Sequence, residues 1–377
     1  MADGRPQVLN TRAMGVLQTA AVAIGLALIA WLSPLPDRVT DRDVYEATAA
    51  QRIVPDCTDL HCFRVLVPWV LGAMPGPSVT KWKTYAVMCN TAAAVAVFQL
   101  CLTLGLRRRA ASLASFATAF GFGSLYTLHD SFTPDPLMYA VGPLIVNELL
   151  RQRVWTAGTV GTIAVLGKEF AAAPLYLVTA HAALARRWTL AARSLVAANA
   201  AMIVWLVLQL TLMLRFNYGY GDNPSTHLLS GGFLAPWLAQ QSLRGIGSAL
   251  FNEYGALYLL APVGFSFASA ELRRLVWLAV PIAAIFAYVQ QPDRALWNFH
   301  FLVVPLAALV LERAPALLAW LTLAAFALAN FRVGAQLSSA PTARLALAAS
   351  VLTAAASIVI ALRRRSPIGS SRPAVMT

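Results

Sequence analysis

Charge is what this sequence has least of. Only 12% of its 377 residues are Asp, Glu, Lys or Arg, 59% are hydrophobic and the mean hydropathy is +0.64. A soluble domain is typically about one quarter charged and about half apolar, so the composition excludes a water-soluble globular enzyme and predicts a polytopic membrane protein. Lysine is nearly absent, with Lys81, Lys83 and Lys168 alone; the other basic residues are Arg, which together with abundant Ala suggests a GC-rich bacterial source. Also missing are a Walker motif, a dinucleotide-type GxGxxG, a GxSxG elbow and an HExxH pair. Nothing therefore points to ATP hydrolysis, nicotinamide binding or a serine hydrolase. The net charge of +13 would suit nucleic acid, but the Arg clusters lie between long apolar stretches and read as topology signals, so no nucleic-acid partner is expected.

What is present is a series of apolar stretches close to bilayer length, roughly 17 to 25 residues. They fall near 13–33, 84–106, 111–128, 136–150, 154–167, 171–185, 190–214, 254–270, 275–290, 299–312, 315–333 and 343–362, about twelve in all. With the Arg5 and Arg12 end cytoplasmic, Arg107–Arg109, Arg151, Arg153, Arg186, Arg187, Arg273, Arg274, Arg313 and Arg363–Arg365 all fall inside, as the positive-inside rule requires. The acids do the reverse. Only Asp3, Glu148, Glu271 and Glu312 of the 16 lie inside, and because acidic residues contribute little to orientation, the bias points to chemistry on the extracytoplasmic face. The first span is too long for a signal-peptide core and no clear cleavage site follows it, so it reads as a signal anchor. No internal repeat or low-complexity linker divides the chain. The expectation is an all-α, polytopic integral membrane protein forming a single domain, 1–377, in a bacterial inner membrane with its N-terminus cytoplasmic.

Two outside loops are long, the first at 34–83 and the fourth at 215–253, and each is expected to carry an interfacial helix. In the first, a short helix near 41–52 precedes the apolar piece Phe63 to Met74, which at about twelve residues is too short to span. In the fourth, Tyr218 to Gly232 is rich in Gly, Asn and Tyr, and Phe233 to Leu238 with Trp237 is expected at the membrane surface. CTDLHC in the first loop offers a Cys57–Cys62 disulfide in an oxidising compartment. Zinc held by Cys57, His61 and Cys62 is the alternative, although the spacing lacks a C-x-x-C pair.

Candidate site residues follow from unusual placement of charge. On a helix Asp41 and Tyr45 are i,i+4 neighbours and Asp43 and Glu46 i,i+3, so acidic positions share a face. A structural account stands beside the catalytic one: Thr40 with Asp43 makes a capping box, Val39 with Val44 a hydrophobic staple, and Asp41 suits the helix dipole. In the turn His129-Asp130-Ser131-Phe132-Thr133-Pro134-Asp135, Thr133 as N-cap and Pro134 at N1 account for Asp135, whereas Asp130 at a membrane boundary is a functional candidate and His129 a supporting one. Lys168-Glu169 stands alone in an apolar run; the two neutralise each other, or Lys168 binds an anionic headgroup. Arg294, near Trp297 and His300, is a second cation suited to phosphate, unless it merely snorkels. Arg64 is a third.

An odd first span, a long acidic outside loop opening on Asp41-x-Asp43-x-Tyr45, acids in the next outside turn and a Lys168-Glu169 turn two spans later resemble the layout of the membrane-embedded GT-C glycosyltransferases. The resemblance covers most of the chain and rests on arrangement, not on a specific motif. It implies a polyprenyl-phosphate-linked sugar donor, a glycan, lipid or protein acceptor, and a first-loop carboxylate, Asp41 or Asp43, as base. The chain departs from the pattern at Arg42, where many members carry an adjacent acid. Lys168, Arg294 and Arg64 would then face the donor phosphate, Asp130 would assist or hold a divalent cation (Mg2+ or Mn2+), and Tyr45, Glu46, His129, Asp135, Glu169 and His300 would support. A transporter or flippase for an anionic lipid or sugar is the reading from another class, expected to show midplane charges and a repeat. A non-catalytic membrane scaffold is the third.

Overall fold

A computed structural model describes residues 5–36, 41–219, 241–289 and 295–364. Among them there is no strand. The long apolar stretches become helices because no water is available in a bilayer to satisfy backbone groups. Five are long and apolar enough to cross: Gly15–Leu32 within α1 (Arg5–Leu32), α4 (Ser78–Thr103), α10 (Trp188–Phe216), the segment Leu296–Arg313, and α16 (Ala340–Arg363). The remaining expected spans are filled by shorter or more charged helices. The stretch 111–128 is broken between α5 (Arg108–Ala119) and α6 (Phe122–His129), and 171–185 between a 3-10 turn Glu169–Ala172 and α9 (Ala173–Leu184). The others are α7 (Asp135–Leu150), α8 (Val154–Ala164), α11 (Leu243–Tyr254), α12 (Ala256–Phe265), α13 (Ala270–Val289), α14 (His300–Arg313) and α15 (Ala316–Val333).

The first long loop, 34–83, holds short helices of the kind expected. It holds α2 (Arg42–Gln51), a 3-10 turn Leu60–Phe63 and α3 (Leu66–Ala73), so the apolar piece 63–74 does not span. Gly72 of α3 lies so close to the Ala49 carbonyl that a methyl there would collide with it, which sets the α2–α3 crossing. Cys57 and Cys62 are joined in a disulfide, so neither thiolate is available to zinc and that alternative falls. The disulfide loop is docked on the end of α10: Asp56 N donates to Phe216 O at 2.9 Å, Gly219 N to Cys57 O at 2.9 Å and Asn217 Nδ2 to Asp56 Oδ1 at 2.7 Å. Of the fourth loop, residues 220–240, including Trp237 and most of the Tyr218–Gly232 segment, lie outside the described residues.

Contacts between elements sort the charges to two ends. Arg109 Nη2 donates to Ala314 O at 2.9 Å, Arg364 Nη1 to Arg313 O at 2.8 Å, and Arg187 pairs with Glu271 at 3.0 Å. At the opposite end α2 and α3 meet the starts of α4 and α7 and the turn at Lys168. The centre is α14, buried against α5, α7, α12 and α16. Its approach to α12 rests on Gly264, where a methyl would fall inside the Leu306 carbonyl, the close backbone contact that small residues permit between membrane helices.

Gly264→Ala is expected to force α12 off α14 at a cost of about 1–3 kcal/mol. Thermal unfolding of the detergent-purified protein should show a lower Tm, and an unchanged Tm would mean that this contact does not limit stability.

Candidate functional site

The acidic end is built around α2. Asp41 occupies the N-cap position of α2 and makes no side-chain cap; the expected Thr40–Asp43 capping box and Val39–Val44 staple fall on Thr40 and Val39, which lie outside the described residues. Its carboxylate faces sideways: Asp41 Oδ2 meets His61 Nε2 at 3.2 Å. The other ring nitrogen, Nδ1, is 2.6 Å from Asp59 Oδ1, which also accepts the His61 backbone N–H at 2.8 Å. Asp59 thus caps the 3-10 turn and fixes the imidazole in one act. The hydrogen bond from His61 outweighs the opposing effect of partial burial and holds the Asp59 carboxyl below its usual range. With Nδ1–H given to Asp59, a doubly protonated ring donates to Asp41 through Nε2, and a neutral ring accepts a proton there.

Tyr45, one turn on from Asp41, is fully buried, its ring against His61 and Trp82. Burial pushes its hydroxyl pKa up; Arg64 opposes this and Asp41 and Asp135 add to it, so all three charges lie within reach of one phenol. The guanidinium of Arg64 faces that hydroxyl without closing a regular hydrogen bond, and pairs with Glu169 at 3.0 Å. Burial works against the Arg64 charge, but Glu169 and then Tyr45 outweigh it. Conversely burial would raise the Glu169 pKa, and Arg64, ahead of Lys168, holds it below the ordinary range. Lys168 reaches back to Asp135 at the start of α7, both side chains buried. Each of the adjacent charges Lys168 and Glu169 thus takes an ion-pair partner from a distant segment.

Asp135 begins α7 with Pro134 as N-cap and Pro136 next, one residue later than expected, and the Thr133 hydroxyl accepts from the Asp135 N–H at 3.3 Å. The preceding turn lies on an aromatic floor, with Phe132 against Trp82 and the Arg42 guanidinium 4.8 Å above the Phe132 ring. Asp130 accepts from Tyr126 at 3.2 Å, and His129 Nδ1 contacts the Pro34 carbonyl. Lys83 is buried and donates to Ala30 O at 2.6 Å and Ser33 O at 2.9 Å, tying the end of α1 to α4 just before the chain enters this loop.

Of the expected residues, Asp41, Tyr45, Arg64, Asp135, Lys168 and Glu169 come together. Asp43 is exposed on another side of α2, and Glu46 pairs with Arg42 at 3.2 Å. His300 sits in the central core, packed on Tyr139 and Trp297 with Nδ1 2.8 Å from Trp297 O. Arg294 lies outside the described residues. Sequence reading overlooked Asp59 and valued His61 only as a zinc ligand; the short spacing Asp59-x-His61 beside the cysteines was the available signal. Among the described residues no group of three His, Cys, Asp or Glu side chains is placed to hold a metal ion.

No protein family and no curated protein matches the sequence. Solved structures do. The oligosaccharyltransferase AglB from Archaeoglobus fulgidus, in complex with an inhibitory peptide and a dolichol-phosphate, superposes over 88% of this chain and 56% of its own with TM-score 0.52 at 14% identity. ArnT from Cupriavidus metallidurans, bound to undecaprenyl phosphate, matches over 92% of this chain and 76% of its own with TM-score 0.52 at 12% identity. The chain thus spans just over half the length of the archaeal protein. At this identity the likeness concerns the fold alone.

Breaking a buried ion pair on one side leaves an unmatched charge, worth about 3–5 kcal/mol. Lys168→Met should lower Tm accordingly in detergent, and Asp135→Asn added to it should restore much of the loss; no recovery would argue against the pairing. Because the folded pKa of Glu169 is depressed, the stability it contributes is complete above the ordinary glutamate value of about 4.3 and is lost as pH falls through the folded value. Wild type should therefore lose Tm on acidification more steeply than Glu169→Gln, and superimposable pH profiles would remove this pair from the account.

Proposed function

We propose that the protein is a glycosyltransferase that moves a sugar from a polyprenyl-phosphate donor to an acceptor hydroxyl at the extracytoplasmic face of a bacterial plasma membrane. The observation that carries this reading is the Asp41–His61–Asp59 chain on a GT-C fold, with Tyr45 and two buried ion pairs packed behind it. An acceptor hydroxyl has to lose a proton as its oxygen attacks the anomeric carbon, and a carboxylate within about 3 Å can take it. Asp41 suits that task better than Asp43, because it is half-buried, oriented by His61 and positioned at the rim of the cluster. His61, locked by Asp59, answers the change in Asp41's charge from the far side. In the same event the sugar–phosphate bond breaks and the lipid phosphate leaves with the electron pair.

The donor phosphate needs positive charge. Arg64 and Lys168 are already matched by Glu169 and Asp135, so in this proposal they act by holding the floor of the site as a preorganised field, and Arg294, outside the described residues, is proposed to meet the phosphate directly. Asp130 keeps its proposed supporting place at the end of α6. Among the described residues no group of three His, Cys, Asp or Glu side chains forms a metal site at Asp130.

In proteoliposomes supplied with a radiolabelled polyprenyl-phosphate sugar, Asp41→Asn should lower transfer by about a hundredfold or more, the range of a lost general base. Asp43→Asn should transfer normally, and His61→Gln should slow turnover. Full transfer by Asp41→Asn would sink the proposal, and cargo movement by that variant without transfer would favour transport.

A further inference from the structure

At the end of the bundle away from the acidic cluster, α1, α4 and α5 leave a cavity of about 730 Å³ between them, within the range of about 300–1,000 Å³ typical of small-molecule sites. Val16 of α1 lines it and is exposed, as are Leu17 and Ile24 on the same helix. Small residues recess the α1 wall at Gly15, Ala20 and Ala23, and Val95, Phe98 and Leu102 make the facing wall on α4. Thr19 adds little polarity to this trough, because its hydroxyl donates to the Gly15 carbonyl at 3.0 Å. From Thr19 to Ser33, where α1 enters the acidic end, the helix climbs about 20 Å. The cavity is thus separate from the site described above.

Its polar lining comes from all three helices: Gln18 and Thr19 on α1, Gln99 on α4, and Arg108 and Ser115 on α5. Arg108, the first residue of α5, is half-buried at the rim, and its Nη2 lies 4.0 Å from where a methyl on Gly15 would stand. Gln18 and Gln99 flank it. Ser112 Oγ donates to Gln18 Oε1 at 3.0 Å, which turns the Gln18 amide nitrogen away from Ser112. Arg107 and Arg109 stand on either side of Arg108, and Arg109 is anchored on the Ala314 carbonyl. A largely apolar trough of this size, with a guanidinium from an Arg cluster in its wall, is complementary to an amphiphile with one anionic head.

We infer that this cavity binds an anionic glycerophospholipid from the leaflet at the arginine-rich end, with its phosphate on Arg108 and an acyl chain between α1 and α4. The lipid supplies the apolar contact that α1 lacks there and fixes that helix against α4. The inference stands whether or not the acidic end transfers sugars.

Native mass spectrometry of the full-length protein in detergent, given equimolar phosphatidylglycerol and phosphatidylcholine, tests it. Wild type should retain phosphatidylglycerol preferentially. Arg108→Gln should cut that preference about fivefold, the factor that one arginine is worth at an anionic membrane surface. Thr19→Trp, which fills the trough, should reduce retention of both lipids, while Asp41→Asn at the far end should leave the pattern unchanged. Equal retention of the two lipids by wild type would overturn the inference, as would undiminished phosphatidylglycerol binding in both cavity variants or its loss in Asp41→Asn.

Discussion

Charge placed inside a helical bundle at the edge of a bilayer has to be matched, because the low dielectric makes an isolated ion prohibitively expensive. Here that constraint is met by exchanging partners across the sequence: Lys168 takes Asp135 and its neighbour Glu169 takes Arg64. Two adjacent residues in one turn thereby fasten the first outside loop and the start of α7 to the α8–α9 connection. Everything at the acidic end depends on this double tie. It brings Arg64 under Tyr45, Tyr45 under Asp41, and the 3-10 turn carrying His61 beside both.

The loop around this core is held by independent means that converge on the same geometry. Lys83 fastens the end of α1, and the Cys57–Cys62 bridge closes the loop containing Asp59 and His61. Asp56 and Cys57 dock that loop on the end of α10. The aromatic rings of Tyr45, Trp82 and Phe132 fill the space below without competing for the charges. Such a site is preorganised: its polar groups are held by one another before any ligand arrives, which is the condition under which fixed charge helps a reaction. The same neutralisation limits what Arg64 and Lys168 can do for an incoming anion.

At the other end the physics is simpler. Arginines there meet backbone carbonyls at helix termini, as Arg109, Arg313 and Arg364 do, and Arg108 heads an apolar cavity. One bundle thus presents a polar, interlocked face and a basic, lipid-adapted face. The division follows the charge asymmetry along the chain.

Composition and the spacing of apolar stretches were enough to determine an all-helical membrane protein, the segregation of Arg from acid, the short helix at α2 and the inability of 63–74 to span. These are local or additive properties, set by hydropathy and by the length a bilayer demands. The partnerships were decided only in three dimensions. Lys168 beside Glu169 reads as a self-neutralising pair, and Asp135 as a helix start, because a sequence cannot say that residues 33 apart share a buried hydrogen bond. Asp41 and Asp43 look equivalent until α2 turns one toward His61 and the other to solvent. His61 itself was legible only beside the cysteines, and its place between two carboxylates comes from the 3-10 turn that Asp59 caps. Folding chooses among partners of similar chemistry by burial and distance, and neither is written along the chain.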